Sequence, residues 1–169
     1  MSLRPKALQD SVEEIERHLH HYSIWFETAA SPSGETHVAD RIGSGGGSFQ
    51  IDAGNDDWGS WVQLIGSEDT PVVAGGHFDP NDLHIDAAER TATYFIQIAC
   101  GESGAAAFAA NTYSDCVFTP QSVQGKPDVL SVVTRRQQAG TKVWARCMCP
   151  SQNTATLNLY IGIHEYTEE

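Results

Sequence analysis

The sequence predicts a mainly β protein: an eight-stranded β-sandwich or jelly roll carrying an N-terminal α-helix. Three observations predict it. Leu8, Val12, Ile15, Leu19, Tyr22 and Phe26 recur at four-three spacing, the 3.5-residue period of a coiled-coil seam. Further along, the period changes to short β-branched and aromatic runs separated by Gly, Pro, Asn and Asp. In the last of these, Leu157, Leu159, Ile161 and Ile163 alternate with Asn158, Tyr160, Gly162 and His164, as in a strand with one buried face.

The helix is expected from about Arg4 to about Thr28. Pro5 is tolerated in its first turn, and the stretch Ala29 to Gly34, with Pro32, ends it. Val12, Leu19 and Phe26 fill one heptad core position and Leu8, Ile15 and Tyr22 the other. Tyr22 and Phe26 are bulky for a two-stranded seam, which points to a homotrimer, or else to a helix docked on its own domain. His18 and His21 are neighbours beside the seam, near His20, where acidification would charge them together across a trimer; solvated side chains are the simpler reading. This gives three regions: an oligomerisation helix at 1–30, a linker at 31–48 and the sandwich at 49–169. The glycines 43, 45, 46 and 47 read as a hinge, because the Lys-Ser/Thr of a phosphate loop is missing after them.

The expected strands are Phe49 to Ala53, Trp61 to Ser67, Leu83 to Ala87, Thr91 to Cys100, Cys116 to Pro120, Leu130 to Arg136, Lys142 to Cys149 and Ala155 to Tyr166. Eight such runs with regular turn signals fit a sandwich or jelly roll. No internal repeat of solenoid period is visible.

Charge narrows the partners. With 22 acidic and 10 basic residues, the formal net charge of −12 repels a phosphate backbone and gains nothing from an anionic membrane surface. Met1 to Asp10 lacks an apolar signal core, and nowhere do about eighteen apolar residues run together, so neither a signal nor a span is expected. Four cysteines do not make a disulfide scaffold at this length. Cys147 and Cys149 fall on one face of a strand-like run, where buried thiols are expected; a metal site would need His164 to approach them.

Candidate chemistry is sparse. His77, Asp79, Asp82, His84 and Asp86 crowd together, but a calcium loop starting at Asp79 would need an oxygen ligand at Leu83 and Gly at His84, so the stretch reads as a polar loop feeding a strand. Cys100 and Cys116 read as structural rather than nucleophilic. Trp58 and Trp61, next to Asp56 and Asp57, form the aromatic and acidic grouping that stacks on sugar rings, and they equally suit an interface. No catalytic residue, metal or cofactor is expected.

The seam Leu8 to Phe26, the Gly/Ser hinge and strands such as Thr91 to Cys100 and Ala155 to Tyr166 together resemble the trimeric jelly-roll proteins of tailed-phage particles, namely head-decoration (cement) proteins and fibre or spike heads. The resemblance implies a non-enzymatic virion protein, made in the host cytoplasm and placed on the particle surface. Its partners would be its own copies and the major capsid protein or another virion protein, with a glycan as a further candidate. Two other readings are a carbohydrate-binding sandwich using Trp58 and Trp61, and a cupin-like metalloenzyme using His77 and His84.

Overall fold

Alternation in the last strand organises the molecule. In the computed structural model, which describes residues 20–28, 38–41, 47–66, 76–120, 128–150 and 154–166, Thr156–Tyr166 forms one long strand. Leu157, Leu159, Ile161 and Ile163 are fully buried along it, while Asn158, Tyr160 and His164 are half-buried on the opposite side. In chain order the elements are β1 (His20–Thr28), β2 (Val38–Arg41), β3 (Phe49–Asp52), β4 (Val62–Ile65), β5 (His77–Ala88), β6 (Tyr94–Cys100), α1 (Gly104–Ala109), β7 (Tyr113–Phe118), β8 (Asp128–Ser131), β9 (Gln137–Gln138), β10 (Val143–Met148) and β11 (Thr156–Tyr166).

Two antiparallel sheets result. One runs β2-β1-β11-β5-β8, with β3 also paired to β11 and β9 to β5; the other runs β4-β10-β6-β7. β1 and β3 share one edge of β11, β1 along Ile161 to Tyr166 and β3 along Thr156 to Leu159. The sheets bury their inner faces against each other in one core. Phe49, Ile51, Phe78, Leu83, Leu159 and Ile161 come from the first, and Leu64, Tyr94, Ile96, Ile98, Val143 and Cys147 from the second. Each such apolar side chain contributes roughly 1.5–3 kcal/mol on burial. The Tyr94 hydroxyl escapes the apolar interior at one end, accepting from Arg90 N (3.1 Å) and donating to Thr156 O (3.4 Å).

β5 keeps its inner face by an unusual spacing. Phe78, Pro80, Leu83 and Ile85 are buried, and Ala88 packs on the core, so the inward steps are two, three, two and three. The two long steps are bulges. Gly162 pairs with Asp82 and Ile163 with Pro80, leaving Asn81 extra; Asn158 pairs with Ala87 and Leu159 with Ile85, leaving Asp86 extra. Pro80 has no N–H to give a ladder, which suits it to a place beside a bulge.

Several expectations are corrected. His20–Thr28 is a strand, so the expected helix does not extend to Thr28 and the seam cannot run through Tyr22 and Phe26. Those two residues lie four apart, a separation that satisfies both a helical face and two strand repeats, and the neighbouring Ile24, Trp25 and Thr28 favour the strand. Register places Tyr22 opposite His164 and Ile24 opposite Gly162. Leu8, Val12, Ile15 and Leu19, and with them His18, lie outside the described residues. The expected linker contains β2, which pairs with β1, so part of it belongs to the sheet. His77 to Asp82 is no loop but the first half of β5. Each of the eight expected runs overlaps a strand, while β1, β2, β9 and α1 add to them. Among the described residues, no helix is long and apolar enough to cross a membrane.

Candidate functional site

Cross-strand register on the outer face of the smaller sheet brings together the most chemistry in the described residues. Arg146 on β10 stands opposite Gln97 on β6, and Gln97 opposite Asp115 on β7. The row is hydrogen-bonded throughout: Arg146 Nε donates to Gln97 Oε1 at 2.7 Å, and Gln97 Nε2 donates to Asp115 Oδ1 at 2.8 Å. Gln97 is buried, and its two neighbours fix which way its amide points.

Around the guanidinium stand three rings. The Arg146 Cζ lies 4.8 Å from the centroid of Trp58, 4.4 Å from Trp61 and 4.8 Å from Phe108. Each such contact contributes about 0.5–1 kcal/mol where water has access. Burial lowers the Arg146 pKa from its ordinary value, while the nearby charges of Asp57, Asp115 and Tyr113 act the other way. The group stays charged, as arginine does in proteins.

The walls are held from behind. Trp61 lies against Gly104 at the start of α1, where a Cβ would come within 2.2 Å of the indole. α1 is a single short stretch of Gly-Ala-Ala-Ala-Phe-Ala, capped by Ser103, whose Oγ accepts from Ala106 N at 3.1 Å. It carries Phe108 to within 4.6 Å of the Tyr113 ring and 6.5 Å of Trp61. Trp144, next along β10, donates its Nε1 to Gly101 O at 2.9 Å. Residues 54–60 bring Trp58 in: Asp56 takes a left-handed φ of 55°, Asp57 Oδ1 accepts from Trp58 N at 2.7 Å, and Gly59 N donates to Cys147 O at 2.9 Å. Trp58 and Trp61, expected to act together, do converge; Asp57 acts on the guanidinium, and Asp56 is an exposed turn residue.

No motif or local spacing in the sequence marks Arg146, Gln97, Asp115, Phe108 or Tyr113 as site residues. The alternation in Lys142 to Cys149 does set Trp144 and Arg146 on the outward face, and that was the one legible signal for them.

The histidine and aspartate cluster lies on the outer face of the larger sheet. Register sets His77 opposite Tyr166, Asp79 opposite His164 and His84 opposite Tyr160. Tyr166 donates its hydroxyl to Asp79 Oδ2 at 2.9 Å, His164 Nδ1 is 3.7 Å from Asp79 Oδ1, and Arg136 lies over the Tyr166 ring at 3.9 Å. Burial, and then Asp79, raise the Tyr166 pKa above its ordinary value. These groups satisfy one another, and among the described residues no three of His, Cys, Asp and Glu are grouped so as to hold a metal ion. His77 and His84 thus lie on the face opposite the apolar core between the sheets. His164 is likewise on the face away from Cys147 and Cys149, which point into the core.

Burial also governs the thiols' ionisation. Burial pushes Cys100, Cys116 and Cys147 up to about 12, so none carries appreciable thiolate at neutral pH. A thiol reagent at pH 8 is expected to leave Cys100 and Cys147 unmodified in the folded protein and to titrate all four cysteines in denaturant. The thiols' contribution to stability is complete below about pH 9, the ordinary value, and is lost as pH rises toward about 12, because the unfolded chain ionises first. Rapid modification of the folded protein would show that these side chains are not in the core. A cleft of about 190 Å³ between Tyr113, Val133, Thr134, Arg135 and Gln137 has Cys100 at its lining and is smaller than a usual small-molecule pocket.

No protein-family model matches the chain, and neither a curated protein nor a solved structure shows significant similarity to it.

Proposed function

We propose that this chain is a non-enzymatic structural protein of a tailed-phage particle, one that self-associates and decorates or stabilises the capsid surface. The strand order supports it. We read β3-β11-β5-β8 facing β4-β10-β6-β7 as an eight-stranded jelly roll, an architecture common to capsid and lectin domains. That part of the argument is analogy of fold.

The observation that carries the reading is the flank of the sandwich formed by β7 and β8. β7 and β8 are the last strands of their respective sheets in the orders above, and exposed valines gather there: Val117 is 55% exposed, Val129 50% and Val133 85%. Among the described residues no further strand pairs with β7 or β8 on that side; strand edges with apolar side chains invite another chain, and natural monomers blunt them with charge. An assembly of three copies would hold several weak shell contacts at high effective concentration, and binding only the assembled shell would stabilise it by mass action. Thiols kept protonated by burial, and an Asp79, Tyr166 and His164 cluster whose members bond to one another, favour contact over catalysis.

Light scattering tests this. The full chain is expected at a multiple of its monomer mass, and the double variant Val117→Lys/Val133→Lys at monomer mass with its fold intact. The wild-type protein is also expected to co-sediment with particle shells that lack it. A wild-type monomer that stays in the supernatant would reject the proposal.

A further inference from the structure

We infer that the outer face of the smaller sheet is a binding site for a neutral pyranose sugar, centred on Arg146 and walled by Trp58, Trp61 and Phe108. The inference rests on this face alone and not on a place in a virus particle.

The site is built before any ligand arrives. Arg146 is fixed at Nε by Gln97, which is fixed by Asp115, so the direction of the guanidinium fork is set across three strands. Its two terminal nitrogens make no hydrogen bond within the described residues, and they are the donors left over. Acceptors stand beside them. Asp57 Oδ1 is used by Trp58 N and Asp115 Oδ1 by Gln97, which leaves the other oxygen of each exposed carboxylate for a ligand. Aromatic area completes the set, with Phe108 38% exposed at the solvent side.

Three classes of ligand can be compared on charge. A cation would have to enter an aromatic cage already occupied by the guanidinium, against like charge. An anion would meet one guanidinium flanked by the carboxylates of Asp57 and Asp115, on a chain of net charge −12. A neutral polyol meets no such penalty. Its hydroxyls accept from the arginine fork and donate to the carboxylates, and the C–H face of a pyranose lies on an aromatic ring. Only this class uses the donors, the acceptors and the aromatic area that the guanidinium leaves exposed, such as that of Phe108, at once.

The test is an array carrying neutral gluco-, galacto- and manno-oligosaccharides beside sialylated and sulfated ones, followed by titration of the best neutral oligosaccharide in solution. Binding is expected to neutral members. Trp58→Ala and Asp57→Asn are each expected to weaken it at least tenfold, with thermal unfolding within a few degrees of wild type. Arg146→Lys, which keeps the charge but loses the fork, is expected to weaken it as well, and Val129→Ala, on β8 of the larger sheet, to leave it unchanged. Binding confined to acidic glycans, neutral binding indifferent to Trp58 and Asp57, or an array without signal would each overturn the inference.

Discussion

Gly59→Ala is expected to cost about 3 kcal/mol of stability, from overpacking and a strained buried hydrogen bond together. An added Cβ at Gly59 would lie 1.7 Å from the carbonyl oxygen of Asp52 at the end of β3, and neither partner can yield, because both are backbone. Gly59 N also donates to Cys147 O, the bond that ties residues 54–60 to β10, so the loop would have to lift from both strands at once. Gly47→Ala is the control, since among the described residues its methyl would meet nothing within 4 Å. In urea, the Gly59 variant should unfold at a much lower midpoint with a similar slope, and the Gly47 variant close to wild type. Equal midpoints would mean that the loop is not seated where it is described. The substitution should also loosen Trp58, its immediate neighbour, and so blunt the aromatic wall around Arg146.

Ile161→Ala is expected to remove about 3–4 kcal/mol, within the range for large-to-small changes in a packed core, and to lower the melting temperature by about 10 °C. Ile161 is fully buried in the middle of β11, with Trp25 of β1 on one side in register and Leu83 of β5 on the other. A cavity there sits where three strands of the larger sheet meet, so little can collapse into it. Val129→Ala, half exposed on β8, should change stability by less than about 0.5 kcal/mol. Comparable losses at the two positions would contradict the burial of β11.

What the sequence made legible depended on how local the signal was. β11 could be read residue by residue because its alternation is unbroken from Leu157 to Ile163. β5 could be read only in its middle, because the extra residues Asn81 and Asp86 break the period on both sides of Leu83 to Ile85. β1 carries a helical spacing because Tyr22 and Phe26 satisfy both periods, and nothing nearby announces β11 as a partner. α1 is too short for any helical period to show. In the candidate site, Trp58 and Trp61 were visible as neighbours in sequence. Arg146, Gln97 and Asp115 were not, because only the pairing of β10 with β6 and of β6 with β7 puts them in one row.

The two bulges of β5 make its alignment unique. A regular antiparallel ladder looks much the same after a slide of two residues, so hydrophobic patterning alone leaves several offsets of like quality. With its inward steps alternating short and long, β5 behaves as a notched key. A shift against β11 in either direction would set Asn81 or Asp86 on a position that expects a paired residue, and would turn part of the strand's apolar row toward water. The central seam of the larger sheet is thus indexed by the spacing of its own side chains, without help from a tight turn between the two strands.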